Sequence, residues 1–150
     1  MAFSNDHDLT EGGLPDDLNG LRVLVVEDSW EVGRSLARLL KLCGVDVLGP
    51  VATTADALRL ICERTVDAAL VDINLRGGEL AYGLIDHLHE QGIRVVVISG
   101  YSDVSVESGK VAAILQKPMS RELLLHSLRK TKRRSEASDS LAGANVSEEI

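Results

Sequence analysis

No apolar run in this 150-residue chain approaches the roughly 18 residues that a membrane-crossing helix needs. Met1 to Gly20 has no hydrophobic stretch either, so it is not a secretory signal and reads as a disordered acidic leader. Positive charge is in short supply: 16 Lys and Arg stand against 23 Asp and Glu, a net charge of −7 with a pI near 5.0. That balance argues against a general nucleic-acid or anionic-membrane binder. Cysteine is scarce, and Cys43 and Cys62 fall in different predicted helices without a CxxC pairing. They read as two reduced core thiols, with a redox pair as the alternative, and either choice fits the cytoplasm. No GKS/T or GxGxxG pattern accompanies Gly77-Gly78, which therefore loosens a loop rather than cradling a phosphate. His87 and His89 are two apart on a predicted helix and point in different directions, so they make no metal pair; His126 is treated the same way.

What the chain does have is a core's worth of apolar residues, 45%, arranged in alternation. Short apolar runs alternate with amphipathic stretches, the pattern of β-α-β units and a parallel sheet. Strands are expected at about 21–26, 45–51, 66–72, 95–98 and 111–115. Pro50 suits an edge strand, whereas 66–72 is apolar enough to be buried on both faces. The first helix is expected from Trp30 to Cys43, with Val32, Leu36, Leu39 and Leu40 on its inner face and Gly44 as its stop. Thr53 or Thr54 caps a second helix whose apolar positions are Ala57, Leu58, Ile61 and Cys62. A third helix covers about Leu80 to Gln91 and ends at Gly92. The last starts after Ser120 and runs through Leu123, Leu124 and Leu128 into Arg129, Lys130, Lys132, Arg133 and Arg134, cations that complement its negative end. Residues 135–150 turn to Ser, Ala, Asp, Glu and Gly and read as a flexible tail.

Right-handed crossovers leave few ways to assemble five such units. The order 2-1-3-4-5, that of flavodoxin-like doubly wound (βα)5 folds, puts strands one and three side by side at the switch point. Four strands end in polar residues: Glu27-Asp28, Asp72, Ser99 and Lys117-Pro118. Under this topology those residues meet at the carboxyl edge of the sheet. Three carboxylates within about 5 Å repel by roughly 3 kcal/mol per pair at an effective dielectric near 20. One lysine cannot cancel that repulsion. A divalent cation together with Lys117 brings the charge to zero, and an all-oxygen ligand set favours Mg²⁺, with Mn²⁺ as a substitute. The same inventory suits phosphoryl transfer: Asp72 as a carboxylate nucleophile, the cation and Lys117 neutralising the transferring oxygens, and Ser99 donating a hydrogen bond. Gly100 leaves the neighbouring backbone open.

With VVED (25–28), LVDIN (70–74), VISGY (97–101) and LQKP (115–118) in this order, the chain resembles the receiver domain of two-component response regulators from about Leu21 to Arg134. The resemblance implies that Asp72 accepts a phosphoryl group from a sensor histidine kinase or a histidine phosphotransfer protein. It further implies that Glu27, Asp28, Asp72 and the backbone carbonyl of Asn74 hold Mg²⁺. Ser99 is then the switch hydroxyl, Lys117 the phosphate-binding cation, and Pro118 follows a cis bond. Asn74 and Tyr101 take positions that tune dephosphorylation.

Two departures stand out. Ile114 occupies the place of the usual Tyr or Phe three residues before the lysine, with Tyr101 a candidate to replace it. The interval from Ser99 to Lys117 leaves room for only a turn or two of a fourth helix, as in stand-alone receivers and those linked to sensory kinases. The expectation is thus a cytoplasmic, single-domain phospho-acceptor, monomer or weak homodimer, that signals by protein–protein contact rather than by turning over substrate. The alternative is a receiver-like binding module not controlled by phosphorylation. A Mg²⁺-dependent phosphatase is disfavoured, because Asn74 stands where such enzymes carry a second acid. Trp30 is expected to be a half-buried packing residue close enough to report metal binding. Gly33 and Gly83 are read as close-packing positions within helices, with docking of a partner helix as the alternative.

Overall fold

The computed structural model describes residues 18–75, 81–100 and 108–132. In chain order its elements are β1 (Arg22–Val26), α1 (Trp30–Leu42), β2 (Asp46–Val51), α2 (Thr54–Glu63), β3 (Ala68–Asp72), α3 (Tyr82–Glu90), β4 (Arg94–Ser99), a 3-10 turn (Ser108–Lys110) and β5 (Ala113–Gln116). A last helix, α4, covers residues 121–132. The five strands are parallel in the order β2-β1-β3-β4-β5, so the flavodoxin-like topology expected from the sequence is the one observed. The expected short helix between β4 and β5 falls mostly on residues outside those described. So do Tyr101, Gly77-Gly78, most of the acidic leader and the 135–150 tail.

Strand side chains alternate between two cores, because successive residues of a strand face opposite ways. Val23, Val25, Leu70, Val96 and Ile98 join α1 and α4 on one face through Leu36, Leu40, Leu124 and Leu128. Leu24, Val26, Ala69, Val71 and Val97 join α2 and α3 on the other through Ala57, Leu84, Ile85 and Leu88. Both faces of β3 are therefore covered, and all five of its residues are buried. The helix starts are chemically marked. The Ser29 hydroxyl accepts from Val32 N at 3.4 Å, Thr53 from Asp56 N at 3.1 Å and Ser120 from Leu123 N at 3.1 Å.

Several expectations about burial are corrected. Trp30, the first residue of α1, is 67% exposed, and among the described residues Arg34 stacks on its ring, 4.9 Å from the centroid. Cys62 is exposed while Cys43 is buried. At roughly 100° per residue, position 62 lies about 140° round α2 from the buried Ala57. Val32 follows the stripe of Leu36 and Leu40 but is exposed on an open groove of about 520 Å³ that it lines with Leu39, Met119 and Arg121. Leu123 is likewise exposed, and Leu125 takes its place in the core. Leu18, assigned to the leader, is fully buried in the α1/α4 core. Gly83 has no described residue within 4 Å of where a Cβ would stand, so nothing described packs against it.

Gly33 is a packing glycine. A Cβ there would lie 3.0 Å from Pro50 Cβ and 3.6 Å from Glu27 Cβ, so α1 and the end of β2 touch across it. Opposite, Gly49 has φ +94°, and a Cβ would meet Val25 O and Val51 N at 2.8 Å. This position shifts the β1/β2 register between Leu24 and Val26, yet Glu27 N still donates to Val51 O at 2.9 Å. The backbone entering the carboxyl edge is thus held on both sides.

Candidate functional site

At the carboxyl edge β1 delivers Glu27 and Asp28, β3 delivers Asp72, β4 ends in Ser99, and Lys117 directly follows β5. Val26 pairs with Val71, and Asp72 with Ile98, so neighbouring strands end at the same level. Glu27, Asp28 and Asp72 each offer a carboxylate oxygen, all within 4.8 Å of one another. Lys117 Nζ donates to Glu27 Oε1 and to Asp72 Oδ2, both at 3.1 Å. The other oxygens of those two acids accept backbone N–H groups, Glu27 Oε2 from Ser29 and Asp72 Oδ1 from Asn74, each at 3.1 Å. Glu27, Asp72 and Ser99 are buried, Asp28 and Lys117 half-buried. Lys117 N also donates to Ser99 O at 2.7 Å, and the Lys117–Pro118 bond is cis, as expected.

The charges are out of balance. Burial pushes the Glu27 carboxyl up to about 7; the Ser29 N–H pulls it down, and nearby Asp72 raises it further. Burial lowers the Lys117 ammonium, but its hydrogen bonds to Asp72 and Glu27 outweigh that and leave its pKa raised. Burial is thus the main reason this acid holds its proton near neutrality, and the neighbouring Asp72 carboxylate adds to the effect. The donor set is oxygen only, and its spacing fits a hard divalent cation such as Mg²⁺.

The structure thus brings together Glu27, Asp28, Asp72 and Lys117, and ties Ser99 to Lys117 through the backbone. It does not place Tyr101, which lies outside the described residues. Ile114, at the position of the missing aromatic, is exposed on β5. Ser29 was missed by reasoning from the sequence. It caps α1 and its N–H holds Glu27, and a serine directly before an amphipathic stretch was the available signal.

The sequence profile described as "Response regulator receiver domain" matches residues 23–129. The chain belongs to the response regulator receiver family. Among solved structures, the receiver is similar to SdrG from Sphingomonas melonis Fr1, at 32% identity and a TM-score of 0.64 over 75% of this chain and 96% of that one. It is also similar to a receiver domain (CheY-like) from Methylobacillus flagellatus, at 25% identity and a TM-score of 0.67 over 75% of this chain and 99% of that one. The response regulator PhyR from Brucella abortus reaches a TM-score of 0.78 over 91% of this receiver and 57% of its own chain. At 21% identity that likeness shows the fold alone. No curated protein sequence matches this receiver. The family places it in two-component signalling, where receivers bind Mg²⁺ at an acidic pocket and interact with histidine kinases or phosphotransfer proteins. Among the described residues no helix is long and apolar enough to cross a membrane.

Proposed function

We propose that this receiver is a phospho-acceptor in which Asp72 takes a phosphoryl group from the phosphohistidine of a sensor histidine kinase or histidine phosphotransfer protein. An Asp72 carboxylate oxygen attacks phosphorus, an O–P bond forms, and the P–N bond breaks with its electron pair returning to the imidazole nitrogen. Glu27, Asp28, Asp72 and the backbone carbonyl of Asn74 would hold Mg²⁺. When bound, the cation supplies charge neutralisation at the transferring oxygens. Lys117 adds a second positive group to the same oxygens, and Ser99 offers a hydroxyl at the end of β4. Asn74 N–H fixes one oxygen of Asp72, which presents the carboxylate in a set orientation.

The observation that carries this reading is Lys117 Nζ lying 3.1 Å from both Glu27 and Asp72, inside a cluster of three acids. Phosphorylation raises the charge on Asp72 from one negative to about two, and Ser99 and Lys117 are the groups placed to respond. The signal then passes to a separate protein in the cytoplasm, with the receiver acting as a binding switch rather than turning over free substrate, as a monomer or weak homodimer. Incubation with a small acyl phosphate donor and Mg²⁺, read by intact mass, tests this. One added phosphate in wild type and none in Asp72→Asn is expected; addition at another residue, or none with any donor, overturns it.

A second reading, a receiver-like module that binds partners without phosphorylation, draws support from Ile114, exposed at the position where the family carries an aromatic switch. It requires the same mass experiment to show no addition.

A further inference from the structure

All 16 lysines and arginines lie between Arg22 and Arg134, where they outnumber the acids of the same span. The rest of the negative charge sits outside: Asp6, Asp8, Glu11, Asp16 and Asp17 before Leu18, and Glu136, Asp139, Glu148 and Glu149 after Ser135, with no lysine or arginine in either segment. An acidic chain therefore has a basic body, whose cations gather in the 129–134 run and along α1. Trp30, Arg34, Arg38 and Lys41 follow one another at helical spacing along an exposed face of α1. Arg34, Arg38 and Lys41 meet no carboxylate among the described residues. With Ala37, Leu42 and Pro50 they line an open groove of about 380 Å³ beside the edge strand, and Leu42 is 76% exposed there.

The chain leading into the fold arrives at one end of this stripe. Leu18 is buried in the α1/α4 core, Gly20 N donates to Gly44 O at 2.9 Å, and Lys132 Nζ donates to Asn19 O at 3.3 Å. Gly44 stands two residues after the end of α1, so Asp16 and Asp17 precede an anchor beside the helix's last turn, where Lys41 and Leu42 lie. An extended chain advances about 3.3 Å per residue and a helix about 1.5 Å. Residues 11–17 are therefore long enough to run from Lys41 back to Arg34. We propose that the acidic segment preceding Leu18 docks along this face of α1, with Asp17, Asp16 and Glu11 on Lys41, Arg38 and Arg34. The segment after Ser135 is the weaker occupant, because in sequence its acids follow directly on Lys130, Lys132, Arg133 and Arg134, which compete for them. The docking is independent of phosphorylation at Asp72.

The test uses the full chain with Cys62→Ser and a nitroxide on Leu9→Cys, Cys43 being buried. At low salt the amide NMR signals of Arg34, Arg38 and Lys41 are expected to be at least halved relative to the reduced label. They recover at 1 M NaCl, where the screening length falls to about 3 Å. The reversal Arg34→Glu/Arg38→Glu/Lys41→Glu abolishes the broadening, and adding Glu11→Lys/Asp16→Lys/Asp17→Lys restores it. The same label on Asn145→Cys leaves α1 unaffected. Four results overturn the proposal: no broadening, broadening centred on Val32, Leu39 and Met119, broadening that 1 M NaCl leaves unchanged, or stronger broadening of the stripe from position 145.

Discussion

At the amino edge of the sheet, Arg22 and Asp67 meet in a two-pronged contact. Arg22 Nε and Nη2 reach the two oxygens of Asp67 at 3.0 and 2.9 Å, and Arg22 N adds a third bond at 2.9 Å. At the carboxyl edge, on the same two strands, Glu27, Asp28 and Asp72 share one ammonium. The hydrogen bond from Arg22, ahead of the cost of burial, holds the Asp67 carboxyl below its ordinary range, whereas burial drives Glu27 up to about 7. One edge is neutral and satisfied, so it fastens β1 to β3. The other keeps a surplus of negative charge that only something from outside removes, and this marks it as the place for chemistry.

Substitutions separate the two edges most sharply in metal-free protein at pH 8. Lys117→Met strands two buried carboxylates and is expected to cost about 3 kcal/mol of unfolding free energy in urea; a loss indistinguishable from zero would mean the acids are not crowded. Asp67→Asn breaks the amino-edge contact and costs about 1–2 kcal/mol, reduced because the arginine is partly in water. Glu27→Gln moves the other way: removing one charge from the cluster is expected to add about 1 kcal/mol while abolishing stabilisation by Mg²⁺. A loss of stability in Glu27→Gln would break the comparison.

The pH dependence carries the same contrast. Glu27 has a raised pKa, so its contribution is fully present below its ordinary 4.5 and is lost as pH rises through about 7. Asp67 is depressed, so its contribution is present above its ordinary 3.8 and is lost as pH falls through its folded value. Urea midpoints of metal-free wild type should therefore decline between pH 4.5 and 7, and the decline should vanish in Glu27→Gln. The smallest effect expected is optical. Mg²⁺ changes Trp30 emission only slightly, because the indole is 67% exposed, and the change is absent in Asp28→Ala.

Strand order and the acids of the site were legible in the sequence because both follow from strong local signals. Continuous apolar runs mark buried parallel strands, and a polar residue at the end of each run has only the sheet edge to occupy. The faces of the helices were less legible. The spacing that placed Val32 with Leu36 and Leu40 is right as periodicity, but no neighbour among the described residues covers the first turn of α1. Trp30 is a large apolar side chain whose burial depends on what packs against it, and among the described residues that is Arg34. Leu18 sits in a polar, acidic context that masks a single core residue. Ser29 was recoverable as a helix cap, but its grip on Glu27 needed the fold.

The bond from Lys117 N to Ser99 O makes the ends of β4 and β5 one mechanical piece. Beyond Ser99 the chain sets off toward the 3-10 turn, and beyond Lys117 it enters α4. A tug on either residue is therefore shared by two departing segments, so surfaces well separated in sequence receive the same displacement together.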